Sequence, residues 1–235
     1  AIGSYSNATA DSVVAIGQNS NAGGAAGANG KGPGTAAVAV GYLANASAAN
    51  TVAAGKSATA TVDNAIAVGV STAATARNAA ALGGYATATA ERATAVGAAS
   101  KASGTASFAG GTSANASGAN SVAIGGSMTP ADAAQASGVN ATAIGTGAKA
   151  SDKNAVALGS GSVTKTAIPN ASQEFFKKRY TFAGGSPDSV VSFGSLDHER
   201  QLVNVAAGRI NSSSTDAING SQLYAVTQML ADHQW

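Results

Sequence analysis

Few residues in this chain have the types and spacing that do chemistry. Gly55-Lys56-Ser57 has the ending of a phosphate-binding loop, whose backbone amides cradle phosphate while the lysine reaches toward it. The glycine such a loop needs five places earlier is Asn50, so the motif is broken. His198 and His233, the only histidines, lie in different local contexts and read as polar surface residues rather than a general base or metal ligand. Asp11, Asp63, Asp132 and Asp152 are too sparse for calcium-binding turns, which need an aspartate in every Gly-Gly-x-Gly-x-Asp unit. No clustered carboxylates or His–acid pair suggest a lyase. Without cysteine there is no thiolate site or disulfide framework. The expectation is therefore no catalytic residue, no metal and no cofactor. The sequons Asn7-Ala8-Thr9, Asn45-Ala46-Ser47 and Asn115-Ala116-Ser117 read as turn residues. Lys177, Lys178 and Arg179 form a possible ligand contact for sulfated glycans or acidic matrix, with a solvated loop end as the plainer reading.

What must position such residues is a repeat. The glycine of an Ala-aliphatic-Gly tripeptide recurs every fourteen residues at Gly41, Gly55, Gly69, Gly83, Gly97, Gly111 and Gly125, and again from Gly145 to Gly159. A strict period of this length predicts one small unit stacked many times. Aromatics are 5% and charges 10% of the chain, so a conventional core of large side chains is excluded. One unit loses roughly 14–28 kcal/mol of backbone entropy on ordering, more than a few Ala and Val side chains offset alone. Neighbouring coils, and other chains, are expected to supply the rest.

Val, Ile or Phe stands three places before most repeat glycines, an aliphatic residue one place before, and Ala two places before. On a strand these alternate between faces. The alanines, with small residues three and five places after the glycine, predict a narrow interior. The outward stripe, Val14, Ile16, Val38, Val40, Val52, Ile66, Val68, Leu82, Val96, Phe108, Val122, Ile124, Ile144, Val156 and Leu158, predicts an association surface at the axis of a homo-oligomer. Ala54, Ala80, Thr94, Gly110 and Thr142 depart from the pattern, and weaker or more polar packing is expected there. The repeat glycine suits a tight bend with positive φ, and Asn50, Asn64, Asn78, Asn120 and Asn154 are turn residues.

The period slips near residues 23–34, 127–137 and 165–190, where loops are expected. Residues 1–164 are assigned to β-roll repeats, 165–198 to an insertion and a last repeat strand, 199–222 to a neck and 223–235 to the start of a stalk. Thr215 or Asp216 could cap a helix. Leu223, Val226 and Leu230 begin an a/d seam, which a short amphipathic helix would equally produce. Asn204, Asp216, Asn219 and Gln222, with Leu223, mark the neck. Their hydrogen bonds run either between chains or to local caps and turns.

Ser121-Val122-Ala123-Ile124-Gly125 and its relatives resemble the head repeats of YadA-like trimeric autotransporter adhesins. The Asn-Val-Ala-Ala-Gly and Thr-Asp-Ala-Ile-Asn-Gly-Ser-Gln-Leu runs between Glu199 and Tyr224 are similar to the neck that follows such heads, and Thr181 to Gly194 to the insertion before it. The resemblance covers nearly the whole chain. It implies an all-β, left-handed parallel β-roll (solenoid) wound as a homotrimer, with a neck leading to a short coiled-coil start. It further implies an outer-membrane anchor beyond residue 235, a Gram-negative bacterial cell surface, and adhesion to host extracellular matrix or cells.

The net charge of +2 is spread thinly and gives no basic stripe for nucleic acid. No apolar run approaches the roughly 20 residues of a membrane helix. The chain opens inside a repeat at Ala1-Ile2-Gly3 and is expected to be a piece of something longer. The leading expectation is a non-enzymatic adhesin head; the alternative is a passive trimeric spacer that holds another head away from the membrane. A flat Thr-rich binding face is not expected, because Thr72, Thr87 and Thr89 look scattered.

Overall fold

A computed structural model describes residues 1–23 and 35–232 of the chain. Most of the first insertion, residues 24–34, and His233 lie outside the described residues. Two units are present. The first comprises residues 1–165 and 189–198, the second residues 166–188 and the chain from Glu199 onward.

The first unit is an all-β parallel solenoid. Each coil contributes a three-residue strand such as Val38–Val40, Ile66–Val68 or Val122–Ile124 and a two-residue strand such as Asn45–Ala46 or Thr87–Ala88. The longer strands make an eleven-stranded sheet and the shorter ones a ten-stranded sheet. All the pairings are parallel and advance by one coil, so Ala67 stands beside Ala81 and Ala81 beside Ala95. The last strand, Val191–Ser192, pairs with Val156 and Ala157, which makes residues 165–188 an insertion between consecutive coils of one sheet.

Three left-handed residues bend each regular coil. The repeat glycines have φ between +107° and +146°. Residues two places after them (Asn19, Leu43, Ser57, Tyr85) and five places before them (Asn50, Asn64, Arg92, Asn120) lie between +53° and +61°. Glycine is needed at the first bend for a second reason: a Cβ on Gly41 would lie 2.5 Å from the carbonyl oxygen of Gly55 in the next coil. The asparagines also link their coils. Asn50 Nδ2 donates to Asn64 Oδ1 at 3.2 Å and Asn64 to Asn78 at 3.0 Å. The ladder stops at Arg92 and Ala106 and resumes as Asn120 to Asn140 (3.1 Å) and Asn140 to Asn154 (2.9 Å).

The interior is as thin as the alanines require. Ala39, Ala67, Ala95 and Ala123 from the longer strands and Ala46, Ala74, Ala102 and Ala116 from the shorter ones are fully buried. Two further columns join them. One lies three places after the glycine (Ser20, Thr72, Ser100) and one four places before it (Ala37, Thr51, Ser107, Ser121). Buried hydroxyls need partners. Thr72 and Ser100 donate to the repeat-glycine carbonyls three residues back at 2.8 Å, and Thr51 donates to Ala48 O at 2.7 Å. Ser107 and Ser121 Oγ have no partner. Thr72 is therefore an interior residue and not part of any threonine face.

Candidate functional site

The two sheets of the solenoid present opposite chemistry. On the eleven-stranded sheet the aliphatic column Ile16, Val40, Val68, Leu82, Val96, Ile124, Ile144 and Leu158 points outward, each side chain 37–41% exposed in the single chain. Val14 and Ile66 are exposed beside it, and Val38, Val52, Phe108, Val122 and Val156 half-buried. Parallel register stacks these side chains coil upon coil, as in Ile66–Ala80 and Val68–Leu82. At Gly110 the stripe is not weakened as expected. The Phe108 ring covers the place where an aliphatic side chain would stand, with Cε1 2.9 Å from the position of a Cβ on Gly110.

The ten-stranded sheet carries two polar outward columns. The first runs Asn7, Asn21, Asn45, Thr59, Ala73, Thr87, Lys101, Asn115, Gln135 and Lys149. Asn7 donates to Asn21 at 3.1 Å and Asn21 to Asn45 at 3.0 Å. The sequon asparagines Asn7, Asn45 and Asn115 thus lie in strands, not in turns: the bends fall on the left-handed residues. The second column is a row of hydroxyls, Thr9, Ser47, Thr61, Thr75, Thr89, Ser103, Ser117, Ser137 and Ser151, all exposed or half-buried. Neighbours on such a sheet sit about 4.8 Å apart. This hydroxyl and amide face is hard to see in the sequence, because its residue types match those of the buried Ser/Thr columns.

The insertion near residues 127–137 edits this face. A 3-10 turn at Pro130–Asp132 offers the carbonyls of Pro130 and Ala131 to Gln135 Nε2 at 3.4 and 3.2 Å. The amide ladder is not continued there, and the neighbouring buried Asn115 Oδ1 has no partner.

In the second unit no described residue is buried. Its hairpin pairs strands Ser172–Phe175 and Lys178–Thr181 across the two-residue loop Phe176-Lys177. Cross-strand pairing sets Phe175 opposite Lys178 and Glu174 opposite Arg179. Lys178 and Arg179 therefore lie on opposite faces of the ribbon, with Lys177 in the loop between them. Lys178 Nζ stands 5.1 Å from the centre of the Tyr180 ring, itself 6.0 Å from the Phe175 ring.

The neck is a clamp within the chain. Side chains spaced three apart hold the backbone of residues 205–209. Arg209 donates to Asp216 from its backbone amide (3.1 Å) and from its guanidinium (2.7 and 3.0 Å). Asn219 Nδ2 donates to Val205 O at 3.0 Å. Gln222 Nε2 donates to Gly208 O at 2.6 Å, and its Oε1 accepts from Gly208 N at 2.9 Å. Hydrogen bonding to the Arg209 guanidinium, then to its backbone amide, holds the Asp216 carboxyl below its usual range. Asn204 takes a left-handed turn, φ +61°. The helix Gly220–Asp232 begins after Asn219, whose Oδ1 accepts from Ser221 Oγ at 2.7 Å and Gln222 N at 3.4 Å. Asn219, not Thr215 or Asp216, is the cap. Leu223, Val226 and Leu230 are exposed on this helix.

Among the described residues no group of His, Asp or Glu is arranged to hold a metal, and no helix is long and apolar enough to cross a membrane. His198 closes a local bridge with Ser195.

Comparison with known proteins gives matches to family models, to a curated relative and to solved structures. The family described as the YadA head domain repeat matches residues 1–20, 33–58, 46–72, 74–100, 88–112, 102–127 and 136–162, more than half of the chain. The family described as the coiled stalk of trimeric autotransporter adhesin matches residues 201–233. The autotransporter adhesin BtaE of Brucella suis biovar 1 (strain 1330) is 46% identical over 70 residues, covering 30% of this chain. The chain spans about 10% of that relative's length. Among solved structures, the C-terminal YadA-like domain of BPSL2063 from Burkholderia pseudomallei is 47% identical, with a TM-score of 0.40 over 42% of this chain and 46% of that one. The collagen-binding domain of the Yersinia adhesin YadA is 24% identical, with a TM-score of 0.40 over 92% and 83%.

Proposed function

We propose that this chain, which belongs to the YadA head family, is the head and neck of an adhesin that acts as a homotrimer on a Gram-negative bacterial surface. The observation that carries the reading is the opposed chemistry of the two sheets. The aliphatic stripe from Val14 to Leu158 packs at the trimer axis, since an apolar strip of this length is an association surface. The hydroxyl and amide face of the other sheet then remains toward solvent, where it meets host extracellular matrix or cell surfaces. Each coil offers a weak contact. Many coils on three chains offer it repeatedly, so avidity exceeds any single contact.

The second unit supports the same assembly. With no described residue buried, it gains no core of its own, and ordering it costs on the order of 1–2 kcal/mol per residue. Docking of three necks, with Leu223, Val226 and Leu230 turned to a shared seam, supplies that burial. Lys177, Lys178 and Arg179 are a further ligand contact, and an outer-membrane anchor follows residue 235.

The test is adhesion of the purified trimer to immobilised collagen, fibronectin and laminin and to host cells. Threonine changes to lysine on the hydroxyl column (Thr61, Thr75, Thr89) are expected to weaken binding without altering the melting temperature. No binding to any of these surfaces would sink the direct-adhesion reading. Unchanged adhesion after deletion of the head beneath a grafted one would favour the spacer instead.

A further inference from the structure

The two residues that turn the hairpin are the wrong ones for the turn. A two-residue loop with positive φ at both central positions matches the primed type I turn, which favours Asn-Gly or Asp-Gly. Here the positions hold Phe176 at φ +49° and Lys177 at φ +65°. Side chains with a Cβ disfavour this region by roughly 1–2 kcal/mol each, and these two lie in a two-stranded hairpin, without the coils above and below that hold the left-handed residues of the solenoid. Phe176 is also fully exposed, with Phe175 half exposed beside it. The six residues 175–180 carry three aromatic rings, three cations and no acid.

We propose that the tip of this hairpin, centred on Phe176 and Lys177, is a wedge for an anionic lipid bilayer. It deepens, and rests on, the ligand-contact role given above to Lys177, Lys178 and Arg179. The combination of chemistries decides the occupant. A soluble polyanion would use the cations and leave Phe176 in water. An apolar protein pocket would use Phe176 and strip water from the adjacent cations. A bilayer edge places negative headgroups directly above apolar chains, so one tip satisfies both, as in interfacial segments that pair Phe with Lys and Arg. The Lys178–Tyr180 contact keeps one cation on the face shared with Phe175, and Arg179 extends from the other face. Three tips per trimer raise a marginal single insertion to measurable binding.

The experiment uses the full trimeric chain and co-sedimentation with vesicles of phosphatidylcholine alone or with phosphatidylserine. Binding is expected only to the anionic vesicles. The variant F176N/K177G installs the favoured turn pair, so the hairpin keeps or gains stability while the tip loses its ring and a charge. Its vesicle binding is expected to fall at least about fivefold, with an unchanged sedimentation coefficient. F176N alone isolates the ring and is also expected to weaken binding. Absence of vesicle binding, or binding that F176N leaves intact and heparin competes away, would overturn the proposal in favour of a polyanion contact. Loss of the trimer in F176N/K177G would overturn it in favour of packing within the assembly. A trimer that binds matrix but no vesicle refutes this inference alone; one that binds vesicles but no matrix refutes the matrix reading alone.

Discussion

Phe108 and Gly110 share one side-chain site. They lie two apart on the same outward face of one strand, and the Phe108 ring covers the position that an aliphatic residue fills in most other coils. The glycine that looks like a gap in the stripe is the complement of the ring beside it.

Adding a side chain at this site should therefore cost stability only while the ring is present. Gly110→Val is expected to destabilise the solenoid by about 1–3 kcal/mol, the usual penalty for overpacking. Phe108→Val combined with Gly110→Val restores the ordinary coil and should recover most of that loss. Thermal unfolding of the two single variants and the double variant measures the coupling. Additive effects would show that the ring and the glycine are independent.

The repeat glycine should be the least replaceable residue in the head. Gly41→Ala places a methyl group against the Gly55 carbonyl at a φ of +135°, a conformation that is essentially glycine-only and costs on the order of 1–3 kcal/mol before any clash. The neighbouring bend residue Ser57, at φ +57°, lies in the ordinary left-handed region, so Ser57→Gly should be neutral or slightly stabilising. Equal melting temperatures for Gly41→Ala and Ser57→Gly would contradict this account of the bends.

The asparagine ladder can be mended. Ala106 occupies a left-handed position at φ +54°, next to Asn120 in the following coil. Ala106→Asn introduces a residue better suited to that region and extends the side-chain ladder, for an expected gain of about 1 kcal/mol. Calorimetry on the otherwise unchanged chain tests it, and a lower melting temperature would argue against the ladder as a stabilising element.

Acid should open the neck before the head. Asp216 is held below its ordinary value of 3.8 by the Arg209 guanidinium and amide. A depressed carboxyl contributes stability that is fully present above the unfolded value and is lost as pH falls through the lower, folded value. Protease sensitivity of residues 205–222 should therefore rise as pH drops below 3.8, while the solenoid, which has few charges, stays protected. Asp216→Asn should remove this pH dependence and leave the neck more open at neutral pH. A neck equally protected at low and neutral pH would contradict the role of this pair.

Much of the fold was legible in columns of a single residue type. The glycine at every fourteenth place announced the bend, and the alanine two places before it announced an interior too narrow for anything larger. The Val and Ile around that alanine then had to face outward. Mixed columns were not legible. Thr72 and Thr75 are three residues apart with the same side chain, yet Thr72 is buried and donates to Gly69 O while Thr75 is exposed. The sequon asparagines depart from the turn role their sequence suggests for the same reason. Asn45 lies on a strand and Asn50 in a bend, and composition does not separate them. In the neck, Asp216, Asn219 and Gln222 were recognisable, but their partners within the chain, and the start of the helix at Gly220, were not.

The sequence by itself determined the coil length, the position of the sharpest bend, the thinness of the interior and the aliphatic outward stripe. Each of these follows from one residue type repeated at one spacing, so no knowledge of neighbouring coils is needed. Only the tertiary structure decided which Ser/Thr column faces inward, that a ring substitutes for a side chain at Gly110, and that the hairpin loop divides the cations at its tip. Side chains alternate along a strand, but each left-handed bend resets that alternation. Residues such as Leu43, Ser57 and Arg92 adopt left-handed φ because the coils above and below them hold the chain there, not because their own type prefers it.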